Sequence, residues 1–130
     1  MAFYVDTSAL VKAVVAEEHS DAFRSWYSGV SAPLVTSDLT RTELTRAVRR
    51  ADPARAVRAR AVLDALVILT MPTELFAQAA RLDPATLRTL DALHVACALN
   101  LGDDLEGVVA YDERLIEAAQ AYGVQTITPM

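Results

Sequence analysis

Apolar positions along the chain follow two alternating rhythms. Phe3-Tyr4-Val5, Pro33-Leu34-Val35-Thr36, Val67-Ile68-Leu69-Thr70-Met71, Val108-Val109-Ala110 and Val124 to Thr128 are short apolar runs that predict strands. The segments between them carry helical spacing. Thr7 and Ser8 place hydroxyls ahead of Ala9-Leu10-Val11-Lys12-Ala13-Val14, and a second helix is expected from Ser20 to Tyr27. Ser37 or Asp38 is placed to cap a helix running to about Arg50, which Asp52-Pro53 breaks. Ala54 to Leu66 is helical by the same spacing, and Thr73 is expected to cap a helix through Leu82, ended by Asp83-Pro84. The next helix embeds Asp91 among Leu87, Val95 and Ala98 and ends near Gly102. Asp112 then opens a last helix to Tyr122, which Gly123 closes.

Short, wholly apolar strands alternating with helices imply an α/β fold with a mainly parallel sheet covered on both faces. In such sheets ligands bind beyond the carboxyl ends of the strands, where the winding direction reverses, and Asp6 and Asp112 both follow strands. A length of 130 residues is that of one domain, 1–130, able to bury roughly two thirds of its unfolded surface. No apolar stretch is long enough to span a bilayer, and no basic region leads into a cleavable apolar segment, so a cytoplasmic location is expected. The single cysteine, Cys97, sits among apolar helical neighbours; it reads as a small buried hydrophobe in a reducing compartment.

The net charge of −5 is unevenly spread. Seven arginines (41, 46, 49, 50, 55, 58 and 60) against Glu43 and Asp52 give the segment 41–60 a balance of +5, leaving −10 for the rest. That asymmetry points to an anionic partner on one side and an acidic pocket elsewhere.

Four acids are candidates for the pocket: Asp6, Glu43, Asp91 and Asp112. Each also has an ordinary structural use. Asp6 and Asp112 are placed to cap the helices that follow them, and Glu43 could pair with Arg46 three residues on. Asp91 has only Arg88 nearby in the sequence, and a carboxylate in apolar surroundings costs several kcal/mol unless it is protonated, paired or metal-bound. If the four converge, a carboxylate cluster without a His or Cys set suits a hard, oxygen-loving ion such as Mg²⁺ or Mn²⁺ rather than zinc. His94, three residues after Asp91, is either a substrate or outer contact at the rim of that pocket or a partly buried structural imidazole. His19, at a helix junction, reads as a surface residue.

Four segments then resemble a known family: Tyr4-Val5-Asp6-Thr7-Ser8-Ala9-Leu10-Val11-Lys12, Thr42-Glu43-Leu44, Thr89-Leu90-Asp91-Ala92-Leu93-His94-Val95-Ala96 and Tyr111-Asp112-Glu113-Arg114-Leu115. In order and spacing, across essentially the whole chain, they are similar to the PIN-domain nucleases, in particular the VapC-type toxins of bacterial toxin–antitoxin pairs. The resemblance implies a three-layer fold with a five-stranded parallel sheet, and a catalytic, metal-binding pocket of Asp6, Glu43, Asp91 and Asp112. It further implies hydrolysis of RNA with Mg²⁺ or Mn²⁺, control by a cognate antitoxin, and a homodimer. Ser8 would bond a ligand carboxylate or substrate, or cap its helix. Arg46, Arg49 and Arg50 would grip RNA phosphates, since an acidic pocket repels them. The family pattern has Thr two residues before the last acid; Ala110 stands there here, removing a hydroxyl that could orient Asp112.

Other functions fit less well. A catalytically silent RNA- or partner-binding module of the same fold is the competing reading. A phosphoacceptor receiver would need adjacent acids after the first strand and a lysine after a late one, but Lys12 is the only lysine. A phosphatase with an aspartyl nucleophile would need an acid at position 8. Phosphate-cradling glycine motifs are absent, which disfavours nucleotide cofactors.

Overall fold

The computed structural model describes residues 1–130. Five strands, β1 (Ala2–Val5), β2 (Leu34–Ser37), β3 (Val67–Leu69), β4 (Leu105–Val109) and β5 (Thr126–Ile127), form one parallel sheet in the order β3-β2-β1-β4-β5. The helices are α1 (Thr7–Val14), α2 (Ser20–Gly29), α3 (Asp38–Ala51), α4 (Ala56–Asp64), α5 (Thr73–Ala80), α6 (Thr89–Leu99) and α7 (Glu113–Ala121).

Alternation along the central strands splits the core in two, as the period of a pleated strand demands. Tyr4 and Val108 pack on one face with Leu75 and Ala79 of α5, Val95 and Cys97 of α6, and Leu115 of α7. Val5 and Val109 pack on the other with Leu10 and Val14 of α1, Phe23 of α2, Leu44 and Val48 of α3, and Val62 of α4. Helices therefore cover both faces, as the apolar strand runs predict. Cys97 is 1% exposed, and burial pushes its thiol up to about 11, which makes it an inert core side chain.

The chain winds outward from β1 through β2 to β3, then returns to β4 on the opposite side. The reversal falls between β1 and β4, whose registers pair Val5 with Val109, and the Asp6 N–H donates to the Val109 carbonyl at 2.9 Å. The carboxyl ends of these two strands thus lie side by side, with Asp6 and Asp112 just beyond them.

Several boundaries differ from the expected ones. Residues 54–66 are not one helix: a 3₁₀ turn at Pro53–Arg55 precedes α4. Ser37 occupies the cap position of α3 and Pro72 that of α5, and neither makes a capping side-chain bond. Strand β4 begins at Leu105, earlier than its apolar run, because Leu105 pairs with Ala2 of β1; Gly107 lets β5 approach closely, since a Cβ there would meet Ile127 Cδ1 at 2.7 Å and the Gln125 carbonyl at 2.9 Å. The end of α7 is as expected. Gly123 has φ +78°, its N–H bonds the Gln120 carbonyl, and the Val124 N–H reaches back to Ala119, a Schellman closure.

Candidate active site

Asp6 and Asp112 are helix caps, as their positions in the sequence allow, and the capping leaves each with a spare oxygen. Asp6 Oδ2 accepts from the Ser8 N–H at 3.1 Å and from the Ser8 hydroxyl at 2.6 Å, while Oδ1 lies 3.5 Å from His94 Nε2. Ser8 Oγ in turn accepts from the Tyr111 N–H at 2.9 Å, tying the end of β1 to the segment after β4. Of the two roles expected for Ser8, its hydroxyl takes the carboxylate-bonding one. Asp112 Oδ1 accepts from the N–H groups of Arg114 at 2.9 Å and Leu115 at 3.4 Å, and Oδ2 makes no such bond. The first turn of α7 therefore orients Asp112. No hydroxyl at position 110 is required for this; Ala110 is fully buried and its carbonyl accepts from Thr128 Oγ1.

Glu43 is held from beneath. Its Oε1 accepts from Thr7 Oγ1 at 2.7 Å and from His94 Nε2 at 2.6 Å, leaving Oε2 without a bond, and Arg46 is not its partner. His94 is 2% exposed: it lies below the pocket instead of at its rim. Its other nitrogen, Nδ1, is 2.7 Å from the hydroxyl of Tyr4, which donates to Ser37 Oγ at 3.0 Å. Both Tyr4 and Ser37 are fully buried. Burial alone would lower the His94 pKa, but the bond to Glu43 and the charges of Asp6, Glu43 and Asp91 outweigh it and hold the pKa above its ordinary value. Burial likewise pushes the Glu43 carboxyl up, and the bonds and charge from His94 and the bond from Thr7 reverse the effect, so its pKa falls. The two shifts point the same way: each partner favours the charged form of the other, and the Tyr4 hydroxyl donates to Ser37.

Asp91 is placed differently from the sequence expectation. The helix begins at Thr89, because Arg88 is extended (ψ 146°) and the Leu87 N–H closes a turn on the Pro84 carbonyl. Leu87 therefore lies outside the helix, and Asp91 stands half-buried in the first turn of α6, where the helix dipole favours a negative charge. Its pKa is nonetheless raised. Burial is the largest cause, followed by the charges of Asp112 and then Asp6, with His94 and Arg88 opposing. Residues 6, 91 and 112 therefore share one electrostatic neighbourhood, crowded with negative charge that nothing on the protein neutralises fully.

No three His, Cys, Asp or Glu side chains are gathered tightly enough to ligate one ion as they stand. The fit to a metal is one of donor chemistry. Oxygens Oδ1 of Asp6, Oε2 of Glu43 and Oδ2 of Asp112 are left by residues whose other oxygen is anchored, Asp91 adds a charge-crowded carboxylate, and all four are hard donors.

The basic stretch separates into two groups. Arg41, Arg55 and Arg60 pair with Asp38, Asp52 and Asp64 of their own segments, and Arg58 bonds the Ala13 carbonyl. Arg46, Arg49 and Arg50 are exposed and together line an open cleft of about 230 Å³. Helical spacing puts Arg46 and Arg50 on the side of α3 that carries Glu43. Lys12 is the opposite case, 7% exposed, with Nζ bonded to Glu17 Oε1 at 3.0 Å and the Glu18 carbonyl at 2.7 Å and set 4.4 Å from the centre of the Tyr111 ring. His19, expected at the surface, is partly covered and stacks against the same tyrosine, ring centres 6.0 Å apart.

Sequence reasoning missed Thr7, Tyr4 and Ser37. Their partners are remote in the chain, with Tyr4 and His94 ninety residues apart, and no local pattern signals the pairing.

A sheet of this order with acids at the switch point defines a fold class that comparison with known proteins identifies. The PIN domain family model matches residues 3–121, and the chain belongs to that family. Among curated relatives it is similar to Ribonuclease VapC47 of Mycobacterium tuberculosis, 39% identical over 130 residues that cover 97% of this chain and 96% of that protein. It is equally similar to Ribonuclease VapC46 of the same species, 39% identical over 128 residues and 98% of both chains. Among solved structures, M. tuberculosis VapC20, described as a sarcin-ricin loop cleaving toxin, shares the fold with a TM-score of 0.79 at 20% identity, over 98% of this chain and 99% of that one. VapBC2 of Rickettsia felis, bound to a DNA fragment from its promoter, does so with a TM-score of 0.72 at 14% identity, over the whole of both chains.

Proposed function

We propose that this protein is a Mg²⁺- or Mn²⁺-dependent endoribonuclease, the toxin of a VapBC-type toxin–antitoxin pair. The observation that carries the proposal is the placement of Asp6 and Asp112 beyond the paired ends of β1 and β4 with Asp91 close enough for both to add to the effect of burial on its carboxyl, a collection of negative charge that suits a cation. The VapC ribonucleases to which the chain aligns along nearly its whole length support it.

Asp6, Asp91 and Asp112 would hold one or two ions, with Glu43 completing the set. When bound, the ion supplies Lewis acidity toward the phosphoryl oxygen and acidifies water. The protein's own part is positional. Glu43 has a lowered pKa, which makes it a poor proton acceptor; with Oε1 fixed by Thr7 and His94, its Oε2 is suited to orient the attacking water rather than to deprotonate it. Asp6 and Asp112 are fixed by Ser8 and by the first turn of α7, so little ordering remains to be done as substrate arrives. Arg46, Arg49 and Arg50 offset the repulsion of RNA by the acids.

The partners of this reading are an RNA substrate, a cognate antitoxin and a second copy of the chain. A basic antitoxin tail would suit the acids, and the exposed side chains of Phe76 and Leu90 suit burial between copies. No helix is long and apolar enough to cross a membrane, and with its one cysteine free the chain is suited to the cytoplasm.

Incubating the protein with cellular RNA, with Mg²⁺ or with chelator, tests the proposal. Cleavage is expected with metal alone and is lost in Asp91→Asn. Cleavage that survives both the chelator and the substitution would overturn the metal assignment; RNA binding without cleavage by the wild type would leave the silent-module reading.

A further inference from the structure

A second cleft carrying arginines lies between the segment ahead of α6 and helix α7. It has a volume of about 490 Å³ and is lined by Pro84, Thr86, Leu87 and Arg88 ahead of α6 and by Arg114, Glu117, Ala118 and Ala121 of α7. None of the four acids lines it, yet it meets them through its two arginines. Arg88 is near enough to Asp91 to oppose the rise in its pKa, and the Arg114 backbone N–H donates to Asp112. Both arginines are exposed, and the ion pairs of the chain all lie elsewhere.

We infer that this cleft is a nucleotide subsite, in which Arg88 and Arg114 grip an RNA phosphate flanking the scissile one. The inference rests on the ribonuclease reading and extends it. A strand crossing a cluster of carboxylates is repelled over the acids and must be held on both sides. Arg46 and Arg50 follow Glu43 on its side of α3; Arg88 lies near Asp91 and Arg114 follows Asp112 at the start of α7. Guanidinium groups bond phosphate oxygens in pairs, and two arginines without acidic partners are free to do so. The remaining lining suits a nucleoside better than a bare anion. Pro84, Leu87, Ala118 and Ala121 give apolar walls for a base or ribose, the Thr86 hydroxyl can donate or accept, and the Glu117 carboxylate accepts from a 2′-hydroxyl or an exocyclic amine. Glu117, one turn beyond Arg114 on α7, repels a phosphate from its own end of the cleft, which favours a phosphate at the end nearer Asp112.

The test is RNA binding by Arg114→Gln, Arg114→Lys and the double variant Arg88→Gln/Arg114→Gln, all carrying Asp91→Asn so that RNA stays intact. Affinity for a short labelled single-stranded oligoribonucleotide is measured against salt concentration. Because Arg114 meets Asp112 through its backbone N–H and its side chain is in no ion pair, its single substitution reads the cleft without disturbing the acids. Arg114→Gln is expected to weaken binding severalfold and to reduce the salt slope by about one unit, Arg114→Lys to keep the slope, and the double variant to weaken binding about tenfold or more. A slope and affinity unchanged in the double variant, with an unchanged thermal melt, would overturn the subsite and leave the cleft to a protein partner. Cleavage by the wild type is scored separately: if it fails while the slope still falls, the ribonuclease reading fails and the binding site stands.

Discussion

The two flanks of the acid cluster are built on opposite principles. On the Glu43 side, a carboxylate is pinned by Thr7 and by His94, which is backed by Tyr4 and Ser37, and its pKa falls. On the Asp91 side, a carboxylate in the first turn of α6 is disfavoured by burial and by the like charges of Asp112 and Asp6, and its pKa rises. One flank stabilises its charge internally and needs nothing further. The other is destabilised by its own neighbours and gains from any cation that arrives. Rigidity and crowding of charge are thus assigned to different residues, which is the arrangement the proposed metal site calls for.

Substitutions on the two flanks should therefore shift the metal-free fold in opposite directions. The largest effect is expected from His94→Leu, which leaves Glu43 charged without its partner and the Tyr4 hydroxyl short of one: a loss of about 3 kcal/mol in denaturant unfolding, with cleavage down roughly 10- to 100-fold. A stability loss below about 1 kcal/mol would show that the pair contributes little. Tyr4→Phe keeps the ring and removes only the hydroxyl, so about 1–2 kcal/mol is expected, with metal affinity little changed; chemical denaturation and a metal titration together read both. Asp91→Asn carries the opposite sign. Neutralising it loses a favourable helix-end charge but removes the cost of a carboxylate that burial first, and the charges of Asp112 and Asp6 next, disfavour, so the metal-free melting temperature should rise by about 2–4 °C while stabilisation by Mn²⁺ disappears. A lower melting temperature, or Mn²⁺ stabilisation that persists, would remove Asp91 from the crowded flank.

The same division explains what could be read from the chain alone. Strands buried on both faces announce themselves as unbroken apolar runs, so Phe3-Tyr4-Val5 and Val108-Val109 fix the centre of the sheet and, with it, the ends at which Asp6 and Asp112 stand. The capping roles of those acids were open to inspection, since capping is local. The start of α6 was not: Leu87 and Arg88 keep helical spacing, but the turn closed on Pro84 delays the helix to Thr89 and moves Asp91 from a buried face to a half-buried first turn. Least legible was the support beneath Glu43. It joins residues 4, 7, 37, 43 and 94, and only folding brings a tyrosine of β1 under a histidine of α6.

Lys12, the chain's sole lysine, is folded against Glu17, the Glu18 carbonyl and Tyr111, so its amine is withheld from solvent. Every exposed cationic side chain that stays charged across the physiological range is then a guanidinium. Acetylation, ubiquitin transfer and amine-directed cross-linkers have no accessible side-chain target on the folded chain, and the electrostatic hold on an anionic partner cannot be adjusted by modifying lysine. What remains adjustable is occupancy, whether a partner covers those arginines or leaves them open.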